Sequence, residues 1–350
     1  MATTSLDIGN ELISTTMHIL MKDFRDNVHE SVAFLDAQDR VHGAGKPVQS
    51  GGSRMVVPLG FGEHSKSTRM QTGFERIDLS VEDVLKPAQY DWGHLVRPVA
   101  ISSEEEMVNQ GDSAVLSILE TRTKMVANAM KRDFVKQIIK GGQAGWEDWN
   151  TLNGVDVVSG DHHGFLEEDA VLSQGNTVGG VSKSAFSTKT GWQNQRFDGA
   201  GSFNSNGLAG LYDLKVEIDA VSPSGPPDVI LASRAGFKNL KRSLQANERY
   251  VDQSKIDGGR LVEYWDGVQI NVEYNMPDDG TVTGGDPISF YFLNMNDIYC
   301  LWDPKGYFDL GDFETVSGEY DVRSAKMRCR GQLIAKHLGS SGIAFDLETF

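Results

Sequence analysis

The chain has 350 residues, of which 39% are hydrophobic and 38 are glycine, and a formal net charge of −16. That length allows one large core or two domains, and the glycine content points to many turns and long loops. The acidic balance argues against gripping nucleic acid with the whole surface. No apolar run reaches the roughly 18–20 residues of a membrane span, and the start lacks a signal peptide's basic and apolar stretches, so use in a cytoplasm is expected.

In chain order, residues 5–24 read as a helix, with Leu6, Ile8, Leu12, Ile13, Met17, Leu20, Met21 and Phe24 on a broad apolar face. Residues 25–54 turn polar and end in Gln49-Ser50-Gly51-Gly52-Ser53, which suggests an arm lying along something else. Met55 to Gly62 reads as an outgoing strand, Glu63 to Gly73 as a polar tip, and Phe74 to Ser80 as the return, with Ile77, Leu79 and Val81 alternating. Pro58 marks an edge or irregular strand. Such an excursion has little of its own to bury, so residues 55–90 should make few contacts within their own subunit and lie on a neighbour.

A long helical region follows. Ser103 and Glu106 have capping-box spacing, Gly111-Asp112 reads as a break, and residues 113–140 carry apolar positions at helical spacing. One rod of that length spans ~42 Å. Residues 143–206 read as loops and short strands. Leu208 to Val221 reads as a helix, Asp228 to Ala232 as a buried strand and Arg234 to Gln245 as a second helix. Asp266-Gly267 sits between two strand-like runs as a hairpin signal. Ser289–Leu293, Ile298–Trp302, Tyr320–Arg330 and Gln332–His337 close the chain as strands.

Sharp chemical motifs are few. Asp161-His162-His163 matches the signature triplet of a metal-dependent phosphoesterase family, but no Asp-x-Asp precedes it, and a polar loop is the preferred reading. Gly179-Gly180 does not open a helix after a strand, as a phosphate cradle would. Cys300 and Cys329 have no metal spacing and read as two buried thiols, with a disulfide open only if their strands pair side by side. Lys326, Arg328 and Arg330 alternate with Ala325, Met327 and Cys329, which places three cations on one strand face. Asp309, Asp312, Glu314 and Glu319 precede them as candidate partners. Lys66 and Arg69 on the excursion tip are further candidates for contact with an acidic neighbour.

The order of elements resembles the major capsid proteins of tailed double-stranded DNA bacteriophages, with the Hong Kong-97-type fold. The resemblance rests on the excursion and its rod helix, with Val99–Glu106 and Asn109-Gln110-Gly111 at the helix entry. It rests also on Leu152-Asn153-Gly154-Val155, Asn176–Ser184 and Trp192-Gln193-Asn194. Pro227–Ser233 between two helices, Trp265–Val272 and Phe292-Leu293-Asn294 complete it.

The resemblance implies an α+β subunit with an N-terminal arm (1–54), an extended loop (55–98) and a peripheral domain (99–206 and 287–350) containing a spine helix at 113–140. An axial domain (207–286) would lie near the symmetry axes. It implies no catalysis and no cofactor or metal. Many copies would assemble as hexamers and pentamers into an icosahedral head shell, in the host cytoplasm and then in the virion. Its further partners would be a separate scaffolding protein, a portal and a decoration protein. Packaged double-stranded DNA would be held without sequence-specific binding, and the acidic balance fits a container, since packaged DNA brings its own counterions. In some relatives a loop-tip lysine crosslinks to the next subunit; nothing in the sequence marks Lys66 for that. Two alternatives remain at this level: an encapsulin-like bacterial nanocompartment, and a metal-dependent phosphoesterase using Asp161, His162 and His163.

Overall fold

The chain is described from a computed structural model. The described residues are 33–42, 47–60, 73, 85–108, 118–141, 145–146, 148–153, 164–166, 177–183, 192–246, 256–257, 260–261, 263–276, 287–315 and 321–350. The expected helix over 5–24, the excursion tip apart from Gly73, and the break at 111–112 lie outside them. In order, the elements are α1 (Ala33–His42), β1 (Arg54–Gly60), β2 (Leu85–Asp91), β3 (Gly93–Ser102), α2 (Ser103–Val108) and α3 (Ile118–Ile139). Short strands follow: β4 (Thr151–Asn153), β5 (Gly164–Leu166), β6 (Thr177–Val178), β7 (Val181–Ser182) and β8 (Gln195–Asp198). A single π-helical turn at Phe203–Gly207 then leads into α4 (Leu208–Val221), β9 (Val229–Ala232) and α5 (Arg234–Ala246). The rest is strand: β10 (Ile256–Asp257), β11 (Arg260–Leu261), β12 (Glu263–Trp265), β13 (Val268–Val272), β14 (Ile288–Leu293), β15 (Ile298–Trp302), β16 (Asp309–Leu310), β17 (Glu314–Thr315), β18 (Val322–Ala335) and β19 (Gly342–Phe345).

Two sheets carry the architecture. In the first, β18 is the organiser. It pairs antiparallel with β3 along one edge, from Val322↔Ser102 to Gly331↔Gly93, and with β15, β16 and β17 along the other. The expected strands at 320–330 and 332–337 are thus one strand, carried through Gly331. The rod helix α3 is continuous from 118 to 139 and packs on the inner face of this sheet. Met130, Phe134 and Ile138 recur at i, i+4 and i+8, and all three are fully buried. Phe134 sits in an aromatic cluster, 5.1 Å from the Trp149 ring and 5.0 Å from Trp302. Aromatic pairs at these spacings add to burial itself.

The second sheet runs β12-β13-β9-β14-β19-β8. Its central strands alternate between two cores. Val229, Leu231, Tyr291 and Leu293 face the core shared with α3, whereas Ile230, Ala232, Phe290 and Phe292 face a second cluster with Leu211, Leu214 and Ile218 of α4 and Leu240 of α5. Both helices therefore lie on one face of this sheet. Gly210 lets α4 approach β8 closely, since a Cβ there would lie 1.8 Å from the Phe197 ring. The hairpin expected at Asp266-Gly267 joins β12 to β13, with both residues at positive φ (49° and 81°), as a type I′ turn requires. The division drawn at 286/287 falls between strands of this same sheet, because β14 and β19 pair into it beside β9.

Two local expectations are corrected, and the reading of the cysteines as buried thiols is met. The polar stretch at 25–54 contains α1, whose Phe34 is fully buried, and the segment lies along the chain's own β15. Gln38 donates to the Cys300 carbonyl (2.9 Å) and accepts from the Cys300 N–H (3.0 Å), while Gln49 N–H donates to the Trp302 carbonyl (3.0 Å). The free edge of β15 is thereby covered. The capping box is one residue earlier than read, because β3 ends at Ser102 and that residue becomes the N-cap. Glu105 N–H donates to Ser102 Oγ (3.3 Å), and Glu105 Oε2 accepts from the Ser102 N–H (3.2 Å). The cysteine strands do pair side by side, but the register sets Cys300 opposite Leu333, and both thiols are free and buried.

Candidate assembly surfaces

The base of the excursion is a two-stranded ribbon, β1 with β2, in register from Arg54↔Asp91 to Gly60↔Leu85. The return strand lies at 85–91; the expected return at Phe74–Ser80 is outside the described residues. Contrary to expectation, one face of this base is packed on the chain's own core. Met55 and Ala88 are fully buried and Tyr90 nearly so, and the Tyr90 hydroxyl donates to the Ala335 carbonyl (2.9 Å). Burial pushes that phenol's pKa well up. The other face is exposed: Arg54, Asp91 and Gln89 lie at its base, where Arg54 pairs with Asp91 (2.7 Å), and beyond them it is apolar, with Val56 55% and Leu85 69% accessible beside Pro58 and Pro87. The two prolines are register partners. Neither has an N–H, so their rung fits a non-hydrogen-bonded pair, and both outer edges of the ribbon lose a donor there. A neighbour would meet this ribbon by its apolar face rather than by adding a strand.

The cationic strand face divides. Lys326 and Arg328 are exposed and make no ion pair with a described carboxylate, although Asp309 is the register partner of Arg328. Arg330 is partly buried. Its guanidinium donates to Asp303 Oδ2 (2.8 Å) and lies 4.8 Å from the centre of the Trp92 ring. The carboxylate that pairs it was not among those expected. The turn after β15 brings Asp303 beside Arg330, and the Asp303 N–H donates to the Arg330 carbonyl (3.1 Å). On the same outer face, β3 adds His94, Pro98 and Val96, the last 40% accessible. On the inner face, Arg97 pairs with Asp133 of α3. Arg122 of α3 forms a bidentate pair with Glu105 (2.8 Å for both bonds), which holds that carboxyl below its usual range. These pairs fasten the rod to its sheet.

Lys66, Arg69, Asp161, His162 and His163 lie outside the described residues. Among the described residues no group of three or more His, Cys, Asp or Glu could hold a metal ion, and no helix is long and apolar enough to cross a membrane. Sequence reading missed one charged feature. Arg234, Lys238 and Arg242 form an i, i+4, i+8 stripe on α5, a pattern that helical periodicity in the sequence could have found.

No protein-family model and no curated protein matches the chain. Solved structures do. The cyanophage A-1(L) capsid aligns over 97% of this chain and 98% of that chain, with a TM-score of 0.64 at 14% identity. The chain has the Hong Kong-97-type capsid fold. The capsid of a native GTA particle aligns over 94% of each chain (TM-score 0.61, 13% identity). A holo-SrpI encapsulin complex from Synechococcus elongatus aligns over 93% of this chain and 96% of that chain (TM-score 0.54, 11% identity). The likeness at this level of identity is one of fold.

Proposed function

We propose that the chain is a shell subunit, the major capsid protein of a tailed double-stranded DNA bacteriophage. The observation that carries this is fold similarity to capsid subunits across nearly the whole of both chains. The exposed apolar face of the β1–β2 ribbon supports it, because a solvated monomer gains nothing from displaying Val56, Pro58, Leu85 and Pro87 together. In this reading the mechanism is geometric: overlapping arms and loops bury area at every boundary, and no group performs catalysis. Residues 1–54 act as the arm, 55–98 as the loop, and 207–286 form the part nearest the symmetry axes. Lys66, Arg69, Lys326 and Arg328 serve contacts between copies. Packaged DNA, a portal and a scaffolding protein are the further partners, and the virion is the site of action.

The test is electron microscopy of the purified protein, with nuclease-protected nucleic acid and co-purifying protein measured on the same particles. Closed shells of uniform diameter are expected from the protein expressed with its own phage's scaffolding and portal proteins, and protected DNA in particles from infected cells. Shells filled with a single co-purifying protein would favour the encapsulin reading, which the SrpI likeness supports. A monomer at all concentrations and salts would overturn both.

A further inference from the structure

The two helices on the outer face of the second sheet are oppositely charged. α5 carries Arg234, Lys238, Lys241 and Arg242 and no acidic residue. Arg234, Lys238 and Arg242 line an open cleft of ≈ 470 Å³ with Asn239, Glu348 and Phe350. The Arg234 guanidinium lies 5.0 Å from the Tyr274 ring centre and that of Arg242 5.7 Å from the Phe350 ring centre, but none of the three stripe cations is ion-paired among the described residues. α4 presents the opposite character. Asp213, Glu217 and Asp219 are exposed and make no ion pair among the described residues, while the helix's one lysine, Lys215, is taken by Asp266. Between the carboxylates stand Tyr212 and Val216, 43% and 66% accessible.

We infer that the acidic stripe of α4 in one copy of this chain docks into the basic cleft of α5 in the next copy, a head-to-tail contact. The inference deepens the shell-subunit reading and rests on it. The dimensions agree: Arg234 to Arg242 covers ~12 Å of helix, and Asp213 to Glu217 ~6 Å, so two carboxylates fall within reach of three cations. The occupant is a second copy rather than a polyanion because a phosphate backbone would leave Tyr212 and Val216 uncovered. A copy instead brings one acidic helix for every basic cleft, and Phe350 offers an apolar wall to Tyr212 or Val216. Because the two patches differ, the contact is heterologous, and repetition closes a ring when the rotation allows it.

Two exposed-residue variants test this. One carries Asp213→Lys with Glu217→Lys, the other Lys238→Glu with Arg242→Glu, each checked for folding by circular dichroism. In sedimentation at low salt, each alone should need at least a tenfold higher concentration than the unmodified chain to assemble. Mixed together they should assemble again, since each supplies the charge that the other lacks. Carbodiimide coupling of isotopically mixed unmodified copies should join Asp213 or Glu217 of one copy to Lys238 of another. If the unmodified chain assembles and both variants assemble equally well, the inference falls and the shell reading stands. Variants that stay apart even when mixed, or retention on heparin lost in the α5 variant with assembly unchanged, would also overturn it. Failure of the unmodified chain to assemble even when expressed with its own phage's scaffolding protein would bring down the shell reading and this contact with it.

Discussion

The two halves of β18 are made differently. From Ser324 to Arg330 burial alternates: Ala325, Met327 and Cys329 point inward, and Ser324, Lys326 and Arg328 outward. From Gly331 to Ala335 every residue is buried. The backbone is one strand, so the difference comes from what covers it. The first half has α3 on one face and solvent on the other. The second half is paired to β15 and also meets Tyr90 of the ribbon and the segment around Asp148 to Asn150. Alternation is a property a strand carries in its own residues, whereas burial on both faces depends on segments distant in sequence.

If the two-sided half holds the fold together, damage there should be severe. Trp302 is opposite Gly331 and lies within 5.0 Å of the Phe134 and Tyr307 rings and 5.6 Å of Phe308. Trp302→Ala is expected to cost about 3–5 kcal/mol, read as a fall in the urea midpoint of the subunit. A loss below 1 kcal/mol would mean that the aromatic cluster is not the anchor.

Gln332 is the polar counterpart. Its amide donates to the carbonyls of Asp91 (3.0 Å) and Asp148 (2.8 Å), and its Oε1 accepts from the Asn150 N–H (2.8 Å). Three chain segments are tied through one nearly inaccessible side chain. Gln332→Leu fits the volume but orphans those groups, and about 2–4 kcal/mol of destabilisation is expected. Hydrogen exchange should quicken at Asn150 before it does at Val322–Ser324. Equal quickening at both ends of β18 would erase the distinction between its halves.

The buried half ends near His337, whose imidazole burial holds below the usual histidine range even though Asp297 lies near. Its Nδ1 is buried without a hydrogen-bond partner among the described residues. The lowered folded pKa means that the unfolded chain takes the proton first as pH falls. This group's contribution is therefore intact above its ordinary value of 6.5 and is lost as pH drops through the folded value. Asp228, whose carboxyl burial pushes up, acts in the opposite sense at more acidic pH. The melting temperature should fall between about pH 7 and pH 5, and His337→Gln should flatten that slope. An unchanged slope would assign the acid sensitivity elsewhere.

Much of the fold was legible because its signals are local. The helix at Leu208–Val221, the strand at 298–302 and the Asp266-Gly267 turn each follow from periodicity or from a turn's demand for positive φ. α1 was not legible, since its few apolar residues sit in a polar, Gly-rich stretch and the side chain that places it, Gln38, bonds to Cys300 of β15, 262 positions away. The second sheet's membership was hidden for the same reason: β14 and β19 join β9 only through long-range pairing. Of the candidate site, the cationic face of β18 was visible by alternation. That Arg330 would be taken by Asp303 was not: Asp303-Pro304-Lys305-Gly306 has the residues of a β-turn, but a turn signature does not say which residue of a strand 27 positions on lies beside it.

The smallest effect is expected on the alternating half. Arg328 is exposed, with Val96 beside it on β3 and Asp309 across from it on β16, and it forms no ion pair with a described carboxylate. Arg328→Glu should change subunit stability by no more than about 0.5 kcal/mol, in contrast to Trp302→Ala a few residues of ladder away. If the outer face meets a neighbour, the reversal is repeated at every boundary, where a pair worth about 0–1 kcal/mol becomes a repulsion of similar size. Assembly yield should then drop at low salt and recover as salt rises, because exposed charges are screened beyond about 10 Å at 0.1 M. Circular dichroism should show a folded subunit throughout. A variant that assembles like the unmodified chain at both salts would leave Lys326 and Arg328 as a solvated face, and the first half of β18 would owe its cations to solubility alone.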